Sequence, residues 1–230
     1  MVRGLYKHRF EIFLVTQLAI LFGSLFFPHD LYEHVLLPLL YLVSIAAGIL
    51  MISKKRKLMW FFLVLFSMAS FIFGSDMVSR TENTENILFR LSIYFVFHIF
   101  VTWNIIGQVW KAKRVTKNVI MGLMSGYISL GFLAFFLFMS IELVHPGSFE
   151  GILMETNDFE VQSDSILYYA YITLLTIGYG EIVPTTAIAQ KAAVLVGLIG
   201  QFYMVIITAV VVEKYIKHSS EKDLDQNSEE

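Results

Sequence analysis

Near the C-terminal end of a very apolar chain stand Thr176-Ile177-Gly178-Tyr179-Gly180. Glycine is costly in regular structure and useful where the backbone must take φ values that other residues resist. Two glycines alternating with bulkier residues let successive carbonyls face one side. When several chains aim such carbonyls at one axis, the oxygens can replace the water shell of a cation, and the Thr176 hydroxyl adds one more at the inner end of the row. The chemistry on offer is coordination by backbone oxygen, with no bond made or broken.

Such a row needs an apolar frame, and the composition supplies one. The 230 residues are 57% hydrophobic and only 16% charged, with a net charge of −2 and no cysteine. A soluble surface is excluded, as are disulfides and thiolate metal sites. Apolar runs at about Phe10 to Phe27, Leu31 to Ile52, Leu58 to Gly74, Ile87 to Trp110, Val119 to Leu143 and Ala187 to Val212 predict six membrane-spanning helices. The first lacks a small-residue cleavage site and reads as an anchor rather than a signal peptide. Breaks on one side carry Arg3, Lys7 and Arg9, Lys54 to Lys57, Lys111 to Lys117, then Lys214, Lys217 and Lys222, while the other side has only Arg80. That asymmetry predicts both termini in the cytoplasm. The last outer connection bears Glu150, Glu155, Asp158, Glu160 and Asp164 and then turns apolar over Ser165 to Leu175, too short to span. A re-entrant helix, returning through the glycine motif, fits that length.

The motif extends in both directions. Tyr168-Tyr169 and Thr173 precede it, Glu181-Ile182-Val183-Pro184 follows, and Gly200 lies twenty residues beyond Gly180 in the last span. Over about Ser165 to Glu213 the chain resembles the tetrameric potassium-channel superfamily, closest to bacterial-type channels. The resemblance implies an all-α membrane protein of six transmembrane helices plus a re-entrant pore helix and selectivity-filter loop, tetrameric. Thr176, Ile177, Gly178 and Tyr179 would hold K+, with Gly180 closing the filter and Tyr168, Tyr169, Thr173, Glu181 and Pro184 supporting it. Gly200 would be the hinge of the inner helix, and Gln201, Met204, Thr208 and Val211 or Val212 follow at helical spacing as cavity and gate residues. Leu175 stands where the family often has threonine and Glu181 where it has aspartate. Ile172 is apolar where some relatives keep a carboxylate, which leaves Glu181 without that partner.

Residues 1–117 are then a peripheral domain of four helices, 118–214 the pore domain, and 215–230 a disordered cytoplasmic tail. The fourth span has one basic residue, Arg90, followed by His98 and Asn104, so a steep voltage sensor is not expected. Only about eight residues join spans four and five, which favours packing of the peripheral domain on its own subunit's pore. Trp60-Phe61-Phe62 and Phe135-Phe136 read as lipid-facing or interfacial. His29, Glu33 and His34 miss the helical spacings of zinc hydrolases, and capping suits them better than metal binding. The expected function is passive potassium conduction across a cell membrane by a homotetramer, with lipid as its other partner. No enzymatic activity, cofactor beyond bound K+ or nucleic acid is expected. The rivals are a non-conducting accessory subunit and a membrane-embedded metal hydrolase.

Overall fold

An apolar segment within lipid must satisfy its own backbone hydrogen bonds, and a helix does so without help from its neighbours. The computed structural model describes residues 8–28, 31–52, 56–79, 84–112, 116–151, 154 and 159–227, and helix dominates them. In chain order they form α1 (Arg9–Phe22), α2 (Leu37–Ile52), α3 (Arg56–Ser79), α4 (Thr84–Trp110), α5 (Lys117–Val144), β1 (Phe149–Glu150), α6 (Phe159–Leu174), β2 (Val183–Pro184) and α7 (Ala187–Asn227). Among the described residues, Leu91–Trp110, Lys117–Val144 and Ala187–Glu213 are long and apolar enough to cross a membrane; Leu37–Ile49 and Met59–Phe71 are shorter apolar helices.

The first and last spans end elsewhere than expected. The first span was expected to run to Phe27, yet α1 stops at Phe22 and a 3-10 turn, Gly23–Leu25, follows. Tyr32 explains the stop. Its hydroxyl donates to the carbonyls of Ala19 (3.2 Å) and Ile20, and its ring occupies the space a side chain at Gly23 would need. A π-helical turn, Tyr32–Leu36, then leads into α2. At the other end the tail expected to be disordered from residue 215 continues α7 as helix to Asn227. Glu213 with Lys217 and Lys217 with Glu221 stand four apart in sequence, a spacing that favours helix even without packing.

Aromatic rings build the common core of α1 to α5. Phe97 meets Phe62 edge-on at 5.4 Å and Phe13 at 6.4 Å between centroids, while Tyr41 stacks on Tyr94 at 4.6 Å. Gly48 lets α2 approach closely, since a Cβ there would lie 2.6 Å from the Phe97 ring. Along the α4–α5 seam, Thr102 donates to the Ser129 hydroxyl at 2.7 Å. His98 donates from Nδ1 to the Tyr94 carbonyl at 3.0 Å, with its ring close to those of Phe132 and Phe136. α4 therefore packs along α5 of the same chain, as the short connection between them favours. Of the aromatics expected to face lipid or the interface, Trp60 and Phe61 are exposed on the chain, whereas Phe62, Phe135 and Phe136 are buried in it. Sequence clustering could not separate the two faces because adjacent helical residues point about 100° apart.

The side chain of Arg90, the residues His29, Asp30 and Lys54-Lys55, and the side chains of Glu33, His34, Arg56 and Lys57 lie outside what the structure describes.

Candidate functional site: the pore loop

α6 is held from behind by α5. The Tyr171 hydroxyl donates to the Ile128 carbonyl at 2.7 Å, and the ring fills the slot left open by the missing side chain of Gly131. Tyr169 is buried between Phe138 and Phe149, with centroids 5.1 and 5.2 Å away. Tyr168, expected with it to support the filter, is exposed on its own chain and faces the carboxylate of Glu181 closely enough to hydrogen-bond with it. Glu181 therefore gains a partner on α6, although Ile172 offers none; its second oxygen, Oε1, is buried without a hydrogen bond.

Where α6 ends, its carbonyls draw the chain into a tight return. Leu175 donates to Tyr171 (2.8 Å), Thr176 to Thr173 (3.1 Å), and the amides of Ile177 and Gly178 converge on the Ile172 carbonyl at 2.8 and 3.3 Å. The backbone then alternates. Thr176 has φ 57°, Gly178 φ 57° and Gly180 φ 94°, whereas Ile177 and Tyr179 have no positive φ. Alternation of left- and right-handed residues turns successive peptide planes so that their carbonyls share one side. The glycines take this conformation freely; Thr176 holds it at a cost of roughly 1–3 kcal/mol, the kind of strain that persists where surroundings over-determine it.

Those surroundings come from α7. Gln201 donates from Nε2 to the Thr176 hydroxyl at 3.1 Å. Gly200, one residue earlier, lies directly on the Leu174 carbonyl, and a side chain would collide with it. The Tyr127 hydroxyl donates to the same carbonyl at 3.3 Å. Gly200 was expected as a hinge; α7 is continuous through it, and the visible demand for glycine is close approach to the end of α6. Farther along, Met204, Thr208 and Val212 are exposed, and the Thr208 hydroxyl bonds back to the Met204 carbonyl at 2.7 Å. Val211 departs from that face and packs partly against the chain's own core.

Beyond Gly180 the loop is clamped in part by residues that sequence reasoning passed over, among them Glu142, Ser148, Phe149 and Thr185. β1 and β2 pair antiparallel, with Phe149 opposite Pro184 and Glu150 opposite Val183. Thr185 donates its amide to Ser148 (2.9 Å) and its hydroxyl to Gly147 (2.7 Å). Glu142, at the end of α5, accepts the amides of Gly147 (2.8 Å) and Phe149 (3.1 Å). Its signal was present as a lone carboxylate inside an apolar span. Gly151, at φ 152°, seats its backbone against the Glu181 carbonyl, leaving no room for a side chain.

From Leu175 to Gly180 every residue is exposed on the chain, Tyr179 by 75%. Residues 119–217 match the family model described as "Ion channel", a segment that opens in α5 and closes in α7. That match gives the second half of the chain the character of an ion channel domain, and the apolar helices are those of a membrane protein. No curated protein and no solved structure matches the chain significantly.

Proposed function

We propose that four copies of the chain surround one axis and form a potassium-selective channel. Thr176, Ile177, Gly178 and Tyr179 supply the ion-coordinating oxygens in it and Gly180 completes the row. The observation that carries this proposal is the alternation of positive φ at Thr176, Gly178 and Gly180 in a segment exposed on its own chain. Four such rows would replace the hydration shell of K+, and passage needs no side-chain chemistry. The exposed apolar face of α7 supports assembly: 11% of its most apolar stretch is buried, against 56% in α5. Isolated in lipid such a face is tolerable, but around a water-filled path it has to meet other copies.

In this assembly the C-terminal end of α6 turns its negative dipole end toward the cavity and favours a cation there. Glu181 and the acidic outer loop raise cation concentration at the mouth. Met204, Thr208 and Val212 line the cavity, and valine near the inner end closes it by dewetting. The chain crosses a cell membrane six times with both ends in the cytoplasm, and α1 to α4 form a peripheral domain without an arginine array, so gating is not steeply voltage-dependent.

Potassium flux from pure protein in liposomes tests the assignment. The wild-type chain is expected to pass K+ in preference to Na+, and Gly178→Asp is expected to abolish that preference while membrane insertion persists. Absence of flux from the wild type would favour an accessory subunit. Retained selectivity in Gly178→Asp would overturn the filter.

A further inference from the structure

Helical hydroxyls in this chain commonly settle on their own backbone. Thr16, Ser125, Ser140 and Thr208 each donate to the carbonyl four residues earlier, at 2.6–2.8 Å. Ser44, in the middle of α2 and fully buried, does not, and its Oγ has no hydrogen-bond partner in the chain. Two other fully buried side chains share that state: both amide atoms of Gln17 on α1, and Nε2 of His98 on α4. Polar atoms left unpaired in an apolar interior are costly, and a bundle within lipid has no bulk water beside it to relieve them.

Ring packing puts the three side chains in one layer. Phe97 has the Phe13 ring of α1 at 6.4 Å, and a Cβ on Gly48 of α2 would lie 2.6 Å from it. Gln17 is about one helical turn beyond Phe13, and Ser44 about one turn before Gly48. α1 and α2 run in opposite directions, with Tyr32 at the head of α2 closing on Ala19 and Gly23 at the end of α1. Both steps therefore lead to the same side of the Phe97 ring. His98 turns that way too, since its Nδ1 donates to the carbonyl of Tyr94, whose ring stacks on Tyr41 three residues before Ser44. With the proton on Nδ1, the neutral ring presents Nε2 as an acceptor.

We propose that Gln17, Ser44 and His98 form a water-binding site inside the bundle. A water there donates to His98 Nε2 and to Gln17 Oε1 and accepts from the Ser44 hydroxyl, and about three hydrogen bonds is the usual complement of a buried water. The Gln17 Nε2 group donates to a second water. A metal ion suits the layer less well, since His98 is its one customary ligand and no group of three His, Cys, Asp or Glu stands together among the described residues. The bound water joins α1, α2 and α4 at a level where these side chains make no direct hydrogen bond to one another.

Water-edited solid-state NMR on the full chain in bilayers, with histidine labelled by nitrogen-15, reads the site without reference to conduction. Wild type is expected to show His98 protonated at Nδ1, with Nε2 receiving polarisation from water. Ser44→Ala and Gln17→Leu should each lose that transfer while the Nδ1 signal stays in place. Both variants should lower the unfolding temperature, and the double variant by less than the sum, because the two side chains share a water. Ser44→Ala removes one atom, so it carries the test even if Gln17→Leu does not fold. The proposal fails if Nε2 receives polarisation from the Gln17 amide instead of water, if the wild-type ring is protonated at Nε2, or if transfer from water persists unchanged in Ser44→Ala.

Discussion

Phe13, Phe62 and Phe97 are fully enclosed by their own chain, whereas Phe202, Val205 and Ile206 on α7 lie open. The first set belongs to a bundle whose helices satisfy one another through rings, a glycine seat at Gly48 and the Thr102–Ser129 hydrogen bond. The second belongs to a helix anchored at a few points, Gly200, Gln201 and Tyr203, the last donating to the Leu123 carbonyl at 2.7 Å. The aromatic core of the bundle is enclosed within one chain, whereas α7 is packed on the side facing α5 and α6. Damage to the bundle should therefore appear as lost stability, and damage to the pore segment as lost conduction.

The largest expected effect is at Gly200. Valine there meets the Leu174 carbonyl, a backbone atom that cannot rotate away, and overpacking of this kind costs about 1–3 kcal/mol or more. Flux should be lost at least ten-fold while α1 to α5 keep their fold by circular dichroism; normal flux would show that α7 does not need this approach. Next comes Gly48→Leu, which drives a side chain into Phe97 and should lower the unfolding temperature by an amount corresponding to about 1–3 kcal/mol. Any protein that survives in the membrane should keep the selectivity of the wild type, and an altered selectivity would dissolve the division between the two regions.

Gln201→Leu removes the donor to Thr176 and, at a net worth of about 1 kcal/mol for one hydrogen bond, should weaken ion discrimination several-fold without changing assembly. Flux ratios for K+ and Na+ give the answer, and an unchanged ratio would make the contact incidental. The smallest effect is expected at Gly107 on α4, where an added Cβ meets nothing within 4 Å. Alanine there should leave flux unchanged and raise thermal stability by up to about 1 kcal/mol, since helical glycine is the less favourable residue. A measurable loss of flux would mean that α4 contacts something beyond its own chain.

Hydrophobic run length made the helices legible, with α4 and α5 found within a few residues of their expected ends. The glycine motif was legible for a different reason: few backbones other than one with alternating φ need G-x-G at that place. Less legible were positions whose meaning depends on what approaches from elsewhere. Gly131 and Gly200 look alike in sequence, yet one admits the Tyr171 ring and the other a carbonyl. Tyr168 and Tyr169 are neighbours, and only the packing against Phe138 and Phe149 separates a buried ring from one facing Glu181. Glu142 was visible as a charge in an apolar span, but its partners, the amides of Gly147 and Phe149, exist only once the loop has folded back.

By itself, then, the sequence determined local matters: which segments must be helical and where the backbone needs glycine. These follow from transfer of apolar surface and from backbone sterics, both properties of a residue and its near neighbours. Tertiary structure alone decided that Tyr32 ends α1, that Gln201 steadies Thr176, and that Arg9 and Lys111 share a cavity though about a hundred residues separate them. Such pairings depend on distance in space, and a hydrogen bond that fails beyond a few tenths of an ångström cannot be read from positions along a chain.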